Sequence, residues 1–170
     1  NPLDLFMVQE ILWANKPQFL VECGTCCGGS ALYFAHQFDH IGQGEVISID
    51  IGVEKWLQVM GGPGRLPVHP RIRYLHGRSS VDPVVLAMVE DLVGDGTVMV
   101  NLDSSHITEH VAKELVAYAP FVTPGQMLII EDGFLDEGPL PAIRAFFLGK
   151  EEWVNTSLEE HKFGRKLTYN

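Results

Sequence analysis

The sequence has few cationic residues and no long apolar run. Its 12 Lys and Arg residues are outnumbered by 22 Asp and Glu residues, so the formal net charge is −10. Nucleic-acid binding needs clustered Lys and Arg on the phosphates, so the charge argues against such a partner. No apolar run approaches the roughly 20 residues of a membrane-spanning helix, and no basic leader precedes the first apolar segment. We therefore expect neither a membrane partner nor a signal peptide.

Cysteine is also scarce. The three cysteines all lie between Cys23 and Cys27, which is no disulfide framework and indicates a reducing, cytoplasmic location. Cys23 and Cys26 have the Cys-x-x-Cys spacing of redox pairs and of half a zinc site. No second such pair is present, and Cys23 is expected to pack inward at the end of a strand. We therefore favour a structural role over a redox or zinc site.

The remaining composition supports a core, because 46% of the 170 residues are hydrophobic. One domain, residues 1–170, accounts for this length. Strand and helix patterns alternate along it, which predicts an α/β fold with a mostly parallel, twisted sheet and helices on both faces. Strands are predicted at 19–22, 44–50, 71–76, 98–103 and 127–131, helices at 3–14, 31–38, 83–93, 108–118 and 142–148, and a C-terminal antiparallel hairpin at 153–157 and 165–169.

Two predicted strands end in acidic residues. Asp103 ends one strand and is followed by His106, and Glu131 and Asp132 end another. Ligands bind outside the carboxyl ends of the strands in an open parallel sheet, so neighbouring strands would bring these side chains together. Clustered carboxylates repel unless a cation or shared protons compensate, and their oxygens suit Mg²⁺, Ca²⁺ or Mn²⁺. We predict a divalent metal site here, although each residue alone could be a helix cap, a solvated turn or a structural histidine.

A glycine-rich turn follows the first predicted strand and reads Glu22-Cys-Gly24-Thr-Cys-Cys-Gly28-Gly-Ser30. The order strand, glycine turn, helix is typical of nucleotide-binding α/β folds. The spacing is not Gly-x-Gly-x-x-Gly, and the Gly-Lys-Ser/Thr of a phosphate-binding loop is absent. Asp50 ends the second predicted strand, about 20 residues further on, where an acidic residue can bind ribose hydroxyls. The alternative is a plain tight turn and a capping Asp50.

These motifs, together with Glu109-His-Val111 and the segment from Tyr118 to Gly125, resemble the cephalosporin hydroxylase family. Despite its name, that family has the fold of S-adenosylmethionine-dependent methyltransferases, and it is similar to rhamnosyl and macrolide-sugar O-methyltransferases. The likeness covers residues 4 to 169. It implies a Rossmann-like methyltransferase domain that acts, with a metal, on a hydroxyl of a small molecule such as a sugar, a diol or a phenol. Family members often assemble, which leaves a homo-oligomer open.

The resemblance also implies a role for individual residues. S-adenosylmethionine would bind at the glycine turn and at the ends of the following strands. Asp50 would bind the ribose, and Ser79 and Ser80 would lie near the adenine. Mg²⁺ or another divalent cation would bind to three carboxylates, and His106 would act as the general base. The implied cofactor residues are Glu22, Gly24, Gly28, Ser30, Asp50, Ser79, Ser80 and Asp103, the metal ligands are Asp103, Glu131 and Asp132, and the catalytic residues are His106 and Asp103.

Two other functions compete with this one. A non-haem-iron hydroxylase would use two histidines and one carboxylate, and only His106, with His110 one helical turn later, lies near the acids. An inactive cofactor-binding scaffold would keep the fold without the chemistry. The substrate is not readable, although Trp56, Phe134 and Leu135 would either stack on a ring or belong to the core.

Overall fold

The computed structural model describes residues 2–53, 57–58, 64–133 and 137–153, without the side chains of Pro2 and Leu3. Within these ranges strands alternate with helices. The strands are β1 (Phe19–Cys23), β2 (Glu45–Asp50), β3 (Ile72–His76), β4 (Val98–Leu102) and β5 (Leu128–Ile130). The helices are α1 (Pro2–Asn15), α2 (Gly29–Ile41), α3 (Pro83–Val93), α4 (Thr108–Tyr118), followed by a 3₁₀ turn (Ala119–Phe121), and α5 (Pro139–Phe147).

The described strands form a five-stranded sheet in the order β3-β2-β1-β4-β5, and every pairing is parallel. The predicted parallel sheet is confirmed. β1 lies between β2 and β4, so the strand order reverses there, and a crevice opens beside its carboxyl end. The predicted hairpin at 153–157 and 165–169 lies outside the described residues, except for Trp153, and so do Trp56, Phe134 and Leu135.

Helices cover both faces of the sheet, as the sequence predicts. Because side chains alternate along a strand, Leu20, Val46 and Met99 share the face on which α1 and α2 pack. Val21, Ile47 and Val100 share the opposite face, which is covered by α3, α4 and α5. Two apolar layers therefore enclose the strands and leave their carboxyl ends as the open edge.

The helix ends follow from capping and proline chemistry. Asp82 caps α3, with Oδ1 accepting a hydrogen bond from the Val84 N–H at 2.8 Å, and Pro83 occupies the first position. Helix α5 begins at Pro139, three residues before the predicted start. The prediction was wrong there because it placed Pro139 and Pro141 in a loop, whereas proline fits the first helical turn. None of the described helices combines the length and the apolar character needed to cross a bilayer.

Candidate active site

The acidic residues of β4 and β5 meet at the carboxyl edge. Asp103 and Glu131 directly follow these two paired strands. The backbone hydrogen bonds of the sheet extend one residue past the end of each strand, to Asp103 and to Glu131. The Asp103 N–H donates to the Cys23 carbonyl at 2.8 Å, and the Glu131 N–H donates to the Leu102 carbonyl at 3.0 Å. Both backbones are thereby held at the rim of the crevice beside β1.

Three side chains converge at this rim. One ligand atom each of Asp103, His106 and Asp132 lies within 4.8 Å of the others. His106 Nε2 is 3.5 Å from Asp103 Oδ1 and 3.2 Å from Asp132 Oδ2. Asp132 has a left-handed backbone with a φ of 51°, which Asp tolerates better than most residues and which interrupts the alternation of side chains along the strand. The cluster offers carboxylate oxygens and one imidazole nitrogen to a cation.

Glu131 lies beside this cluster rather than inside it. Its side chain lines two cavities together with Asp103. Burial, and then the charges of Asp103, Asp4 and Asp132, raise the pKa of Glu131 to about 8. Burial also raises the pKa of Asp103, against the opposing effect of His106. A divalent cation would offset this repulsion, because it would be the largest local charge.

The larger of the two cavities has a volume of about 230 Å³. It lies beside α1 and the start of α2 and reaches the ends of β4 and β5. Among the described residues, its lining contains three carboxylates and no cationic side chain. The residues that line it are Asp4, Leu5, Val8, Gly29, Ser30, Tyr33, Phe34, Asn101, Asp103 and Glu131. The cavity therefore favours a ligand with positive charge.

Asn101 lines this cavity, Glu22 is its partner in register on β1, and both are almost fully buried. Glu22 Oε2 accepts a hydrogen bond from Ser48 Oγ at 2.5 Å. Among the described residues, Glu22 Oε1 and Asn101 Oδ1 have no hydrogen-bond donor. Burial raises the pKa of Glu22 to about 7, against the opposing effects of Ser30 and Ser48. Two buried acceptors without donors indicate a ligand that donates.

The glycine turn packs closely against its neighbours. Gly24 has a φ of +107°, and a Cβ there would lie 2.0 Å from the Asp103 carbonyl oxygen. Gly28 has a φ of +76°, and a Cβ there would lie 2.7 Å from Pro67 Cδ. Glycine is thus required at both positions, by backbone conformation and by space.

Asp50 is held against this turn. Its Oδ2 accepts from the Cys26 N–H at 2.9 Å, and its Oδ1 accepts from the Gly52 N–H at 2.9 Å. Each carboxylate oxygen keeps a further acceptor position. The carboxylate is therefore oriented at the end of β2, and its binding of ribose hydroxyls stays a prediction.

The two serines with an implied adenine contact differ in their surroundings. Ser80 is 5% exposed, and its hydroxyl donates to Glu114 Oε1 at 2.5 Å. Ser79 is half-buried, and its carbonyl accepts from the Asp82 N–H at 3.0 Å. The Ser80 side chain is thus engaged inside the protein, and the adenine contact of both residues stays a prediction.

The cysteines do not form the redox pair suggested by their spacing. Cys23 is fully buried, and burial followed by the charge of Glu114 raises the pKa of its thiol. Cys26 is exposed, with its Sγ 3.9 Å from Cys27 Sγ, and all three cysteines are free. The structural role predicted for Cys23 agrees with this burial, and the cytoplasmic location stays a prediction.

His110 does not join the cluster. Its Nε2 lies 3.3 Å from Glu114 Oε1. Among the described residues, His106 is the one histidine that meets two carboxylates within ligand distance. The two-histidine arrangement of a non-haem-iron site is thus not formed by this part of the chain.

Two residues of the site were missed in the sequence, although both leave a signal there. Asn101 is the one polar residue in the apolar segment Val98–Leu102. Glu114 lies on the buried face of α4, at helical spacing from Val111 and Tyr118. A polar residue at a position where the pattern demands an apolar one is often functional.

The known proteins that resemble this chain in sequence share one description. Residues 1–165 match the family described as rhamnosyl O-methyltransferase/CmcI. The chain is 30% identical over 177 residues to the rhamnosyl O-methyltransferase of Mycobacterium tuberculosis, covering 95% of the chain and 68% of that relative. It is 31% identical over 182 residues to the rhamnosyl O-methyltransferase of Mycobacterium leprae, covering 98% of the chain and 75% of that relative.

Solved structures agree in fold. CalS11, a TDP-rhamnose 3'-O-methyltransferase of calicheamicin biosynthesis, superposes with a TM-score of 0.68 at 16% identity, over 98% of this chain and 77% of that one. CmcI with Mg and S-adenosylmethionine gives 0.66 at 19%, over 100% and 72%. MycE with Mg, S-adenosylhomocysteine and mycinamycin VI gives 0.56 at 24%, over 76% and 31%. The Rossmann-like methyltransferase fold is confirmed.

Proposed function

The chain belongs to the rhamnosyl O-methyltransferase/CmcI family, and from that premise we propose that it transfers a methyl group from S-adenosylmethionine to a sugar hydroxyl, at the edge formed by β1, β4 and β5. The observation that carries this proposal is the cluster of Asp103, His106 and Asp132 beside an acidic cavity and a glycine turn. It unites groups for binding a cation, for accepting a proton and for binding a positively charged cofactor.

The charge of the crevice fits S-adenosylmethionine. Gly24 and Gly28 bring the turn close to the Asp103 carbonyl and to Pro67, with no room for a side chain between them, and so fix the backbone that would line the cofactor. The N-terminus of α2, near Ser30, suits a carboxylate, since its first N–H groups are free. The buried oxygens Glu22 Oε1 and Asn101 Oδ1 suit an ammonium group. An acidic cavity also suits the sulfonium.

The rim fits a divalent cation equally well. Asp103 and Asp132 present carboxylate oxygens within reach of one ion, and Glu131 lines the adjoining cavities. Hard oxygen donors are the ligands that Mg²⁺ and Mn²⁺ take in proteins, and Mg²⁺ keeps open positions for water and substrate. We propose Asp103, Glu131 and Asp132 as the ligands.

Each residue then has a chemical task. When bound, S-adenosylmethionine supplies the methyl group and the cation acts as a Lewis acid toward the substrate oxygens. His106 accepts the proton of the substrate hydroxyl. The carboxylates of Asp103 and Asp132, 3.5 Å and 3.2 Å from its Nε2, stabilise the imidazolium that results. Asp50 orients the cofactor by its ribose hydroxyls.

The substrate class follows from the relatives and from the chemistry of the rim. The mycobacterial relatives are named rhamnosyl O-methyltransferases, and CalS11 is named a TDP-rhamnose 3'-O-methyltransferase. A sugar with two neighbouring hydroxyls can place two oxygens on one cation. We therefore propose that the acceptor is a deoxyhexose hydroxyl with a free neighbouring hydroxyl.

The test combines binding and turnover. Calorimetry measures S-adenosylmethionine binding with Mg²⁺ and with EDTA, for the wild type, for Asp50→Ala and for Asp95→Ala, an exposed turn residue that serves as control. We expect micromolar binding in the wild type and in the control, and its loss in Asp50→Ala. Methylation of rhamnosides should need Mg²⁺ and should be lost in Asp103→Ala with the fold retained.

An inactive scaffold is the competing function. It predicts that cofactor binding survives while no diol or phenol is methylated under any metal condition. Unchanged turnover in Asp103→Ala would contradict the proposed metal site, and absence of cofactor binding in the wild type would contradict the proposed function itself.

A further inference from the structure

A buried carboxylate lies beneath the loop that carries the rim residues. Glu114 belongs to α4 and is 1% exposed. Its Oε1 accepts hydrogen bonds from Ser104 Oγ at 2.7 Å and from Ser80 Oγ at 2.5 Å. His110 Nε2, one turn earlier on α4, lies 3.3 Å from the same oxygen. Three polar groups thus converge on one carboxylate oxygen.

The two serines belong to different loops of the carboxyl edge. Ser104 directly follows Asp103, in the loop that also carries His106. Ser80 lies between β3 and α3, and its carbonyl accepts a hydrogen bond from the Tyr118 hydroxyl at 2.6 Å. Through Glu114 and Tyr118, helix α4 connects both loops to the core.

The loop is also held from the opposite side. The Asp103 N–H donates to the Cys23 carbonyl, and the Asp103 carbonyl oxygen lies where a Gly24 side chain would begin. The backbone of Asp103 therefore rests on the glycine turn while the side chain of Ser104 is bound by α4. These two attachments determine the direction in which the loop leaves β4.

Packing alone does not account for a carboxylate at this position. The same face of α4 presents Val111, Leu115 and Tyr118 to the core. An apolar residue at 114 would continue that face without the penalty of burying a charge. The carboxylate is matched instead by hydroxyl donors, and both donors come from loops at the edge.

We propose that Glu114 is a positioning residue, which orients the loop 103–106 so that the Asp103 carboxylate faces the proposed metal site and the His106 ring lies beside it. This inference rests on the proposed function. Mutation of a residue that hydrogen-bonds to and orients a metal ligand typically lowers metal affinity or activity by roughly 10- to 100-fold. Glu114 would act through Ser104, without touching the cation or the substrate.

Two variants separate this role from a merely structural one. Ser104→Ala removes the hydroxyl that joins the loop to Glu114, at an exposed position where we expect the variant to fold. Glu114→Gln keeps the volume and removes the charge. Val89→Ala, at a fully buried position of α3, is the control that lowers stability without contacting the loop. For each protein, thermal unfolding gives Tm, paramagnetic resonance gives Mn²⁺ affinity, and turnover of a rhamnoside gives kcat and KM.

We expect Ser104→Ala and Glu114→Gln to weaken Mn²⁺ binding about tenfold and to lower kcat, with KM for S-adenosylmethionine almost unchanged. Val89→Ala should lower Tm only. Wild-type Mn²⁺ affinity in both variants would overturn the positioning role and leave the proposed function intact. A wild type that neither binds Mn²⁺ nor transfers a methyl group would overturn the proposed function, and this inference with it.

Discussion

Glu22 and Asn101 are paired in register on the neighbouring parallel strands β1 and β4, and each leaves a buried oxygen without a donor among the described residues. Both belong to the sheet face that α1 and α2 cover. A buried acceptor without a donor is costly, so a ligand that donates there gains affinity. We therefore expect the pair to bind the ammonium group at the amino-acid end of the cofactor and to leave its nucleoside end untouched.

Asn101→Leu should weaken binding of S-adenosylhomocysteine by about 10- to 100-fold, because a hydrogen bond to a charged donor contributes about 1.5–3 kcal/mol. Methylthioadenosine lacks the ammonium and should bind the variant and the wild type equally. Calorimetry with both ligands measures the difference. Equal weakening for the two ligands would assign Asn101 to packing instead.

Glu22→Gln should flatten the pH dependence of stability in the metal-free, cofactor-free protein. Burial raises the pKa of Glu22 from 4.5 to about 7, so its contribution is fully present below pH 4.5 and is lost as the pH rises through 7. The loss amounts to roughly 3 kcal/mol. Urea unfolding at pH 5 and pH 8 measures it, with exposed Glu90→Gln as control. If the free energy of unfolding of Glu22→Gln changed with pH as much as that of the wild type, the pH dependence would not come from Glu22.

His106→Ala should lower kcat by about 10²- to 10⁴-fold, as expected for a general base. Its Mn²⁺ affinity should stay near that of the wild type, whereas Asp132→Ala should lose Mn²⁺ binding. The two side chains lie 3.2 Å apart, so the comparison assigns the base and the ligand within one cluster. Loss of Mn²⁺ binding in both variants would make His106 a ligand.

Gly24→Ala should be more destabilising than Gly42→Ala. Both glycines have positive φ angles, of +107° and +87°, but a Cβ at Gly42 meets open space, whereas one at Gly24 meets the Asp103 carbonyl. Gly42→Ala should cost about 1 kcal/mol from backbone strain alone. The excess in Gly24→Ala, measured by urea unfolding, reports the contact with Asp103 and should be accompanied by weaker Mn²⁺ binding. Equal costs would show that the turn can shift.

Much of the fold was predictable because it is encoded locally. Apolar runs and helical spacing located the five strands and the helices of the described chain, and the predicted parallel sheet is confirmed. Some bounds differ. Helix α2 was predicted at 31–38 and spans Gly29–Ile41, and α5 begins at Pro139 because prolines that were read as loop residues also fit a first turn. The family resemblance likewise rests on short motifs that stand in the sequence.

The site was predictable only in outline. Two predicted strands end in acidic residues, which indicated that Asp103, Glu131 and Asp132 share one edge of the sheet. The sequence by itself therefore determined which chemical groups lie at that edge. The strand order decided the rest, because it places β1 between β2 and β4 and so brings Glu22 beside Asn101. The left-handed backbone of Asp132, and the bond from Ser104 to Glu114, also follow from the tertiary structure. Such contacts join residues that are far apart in the chain. The local periodicity of apolar residues does not indicate which distant residue will be the neighbour.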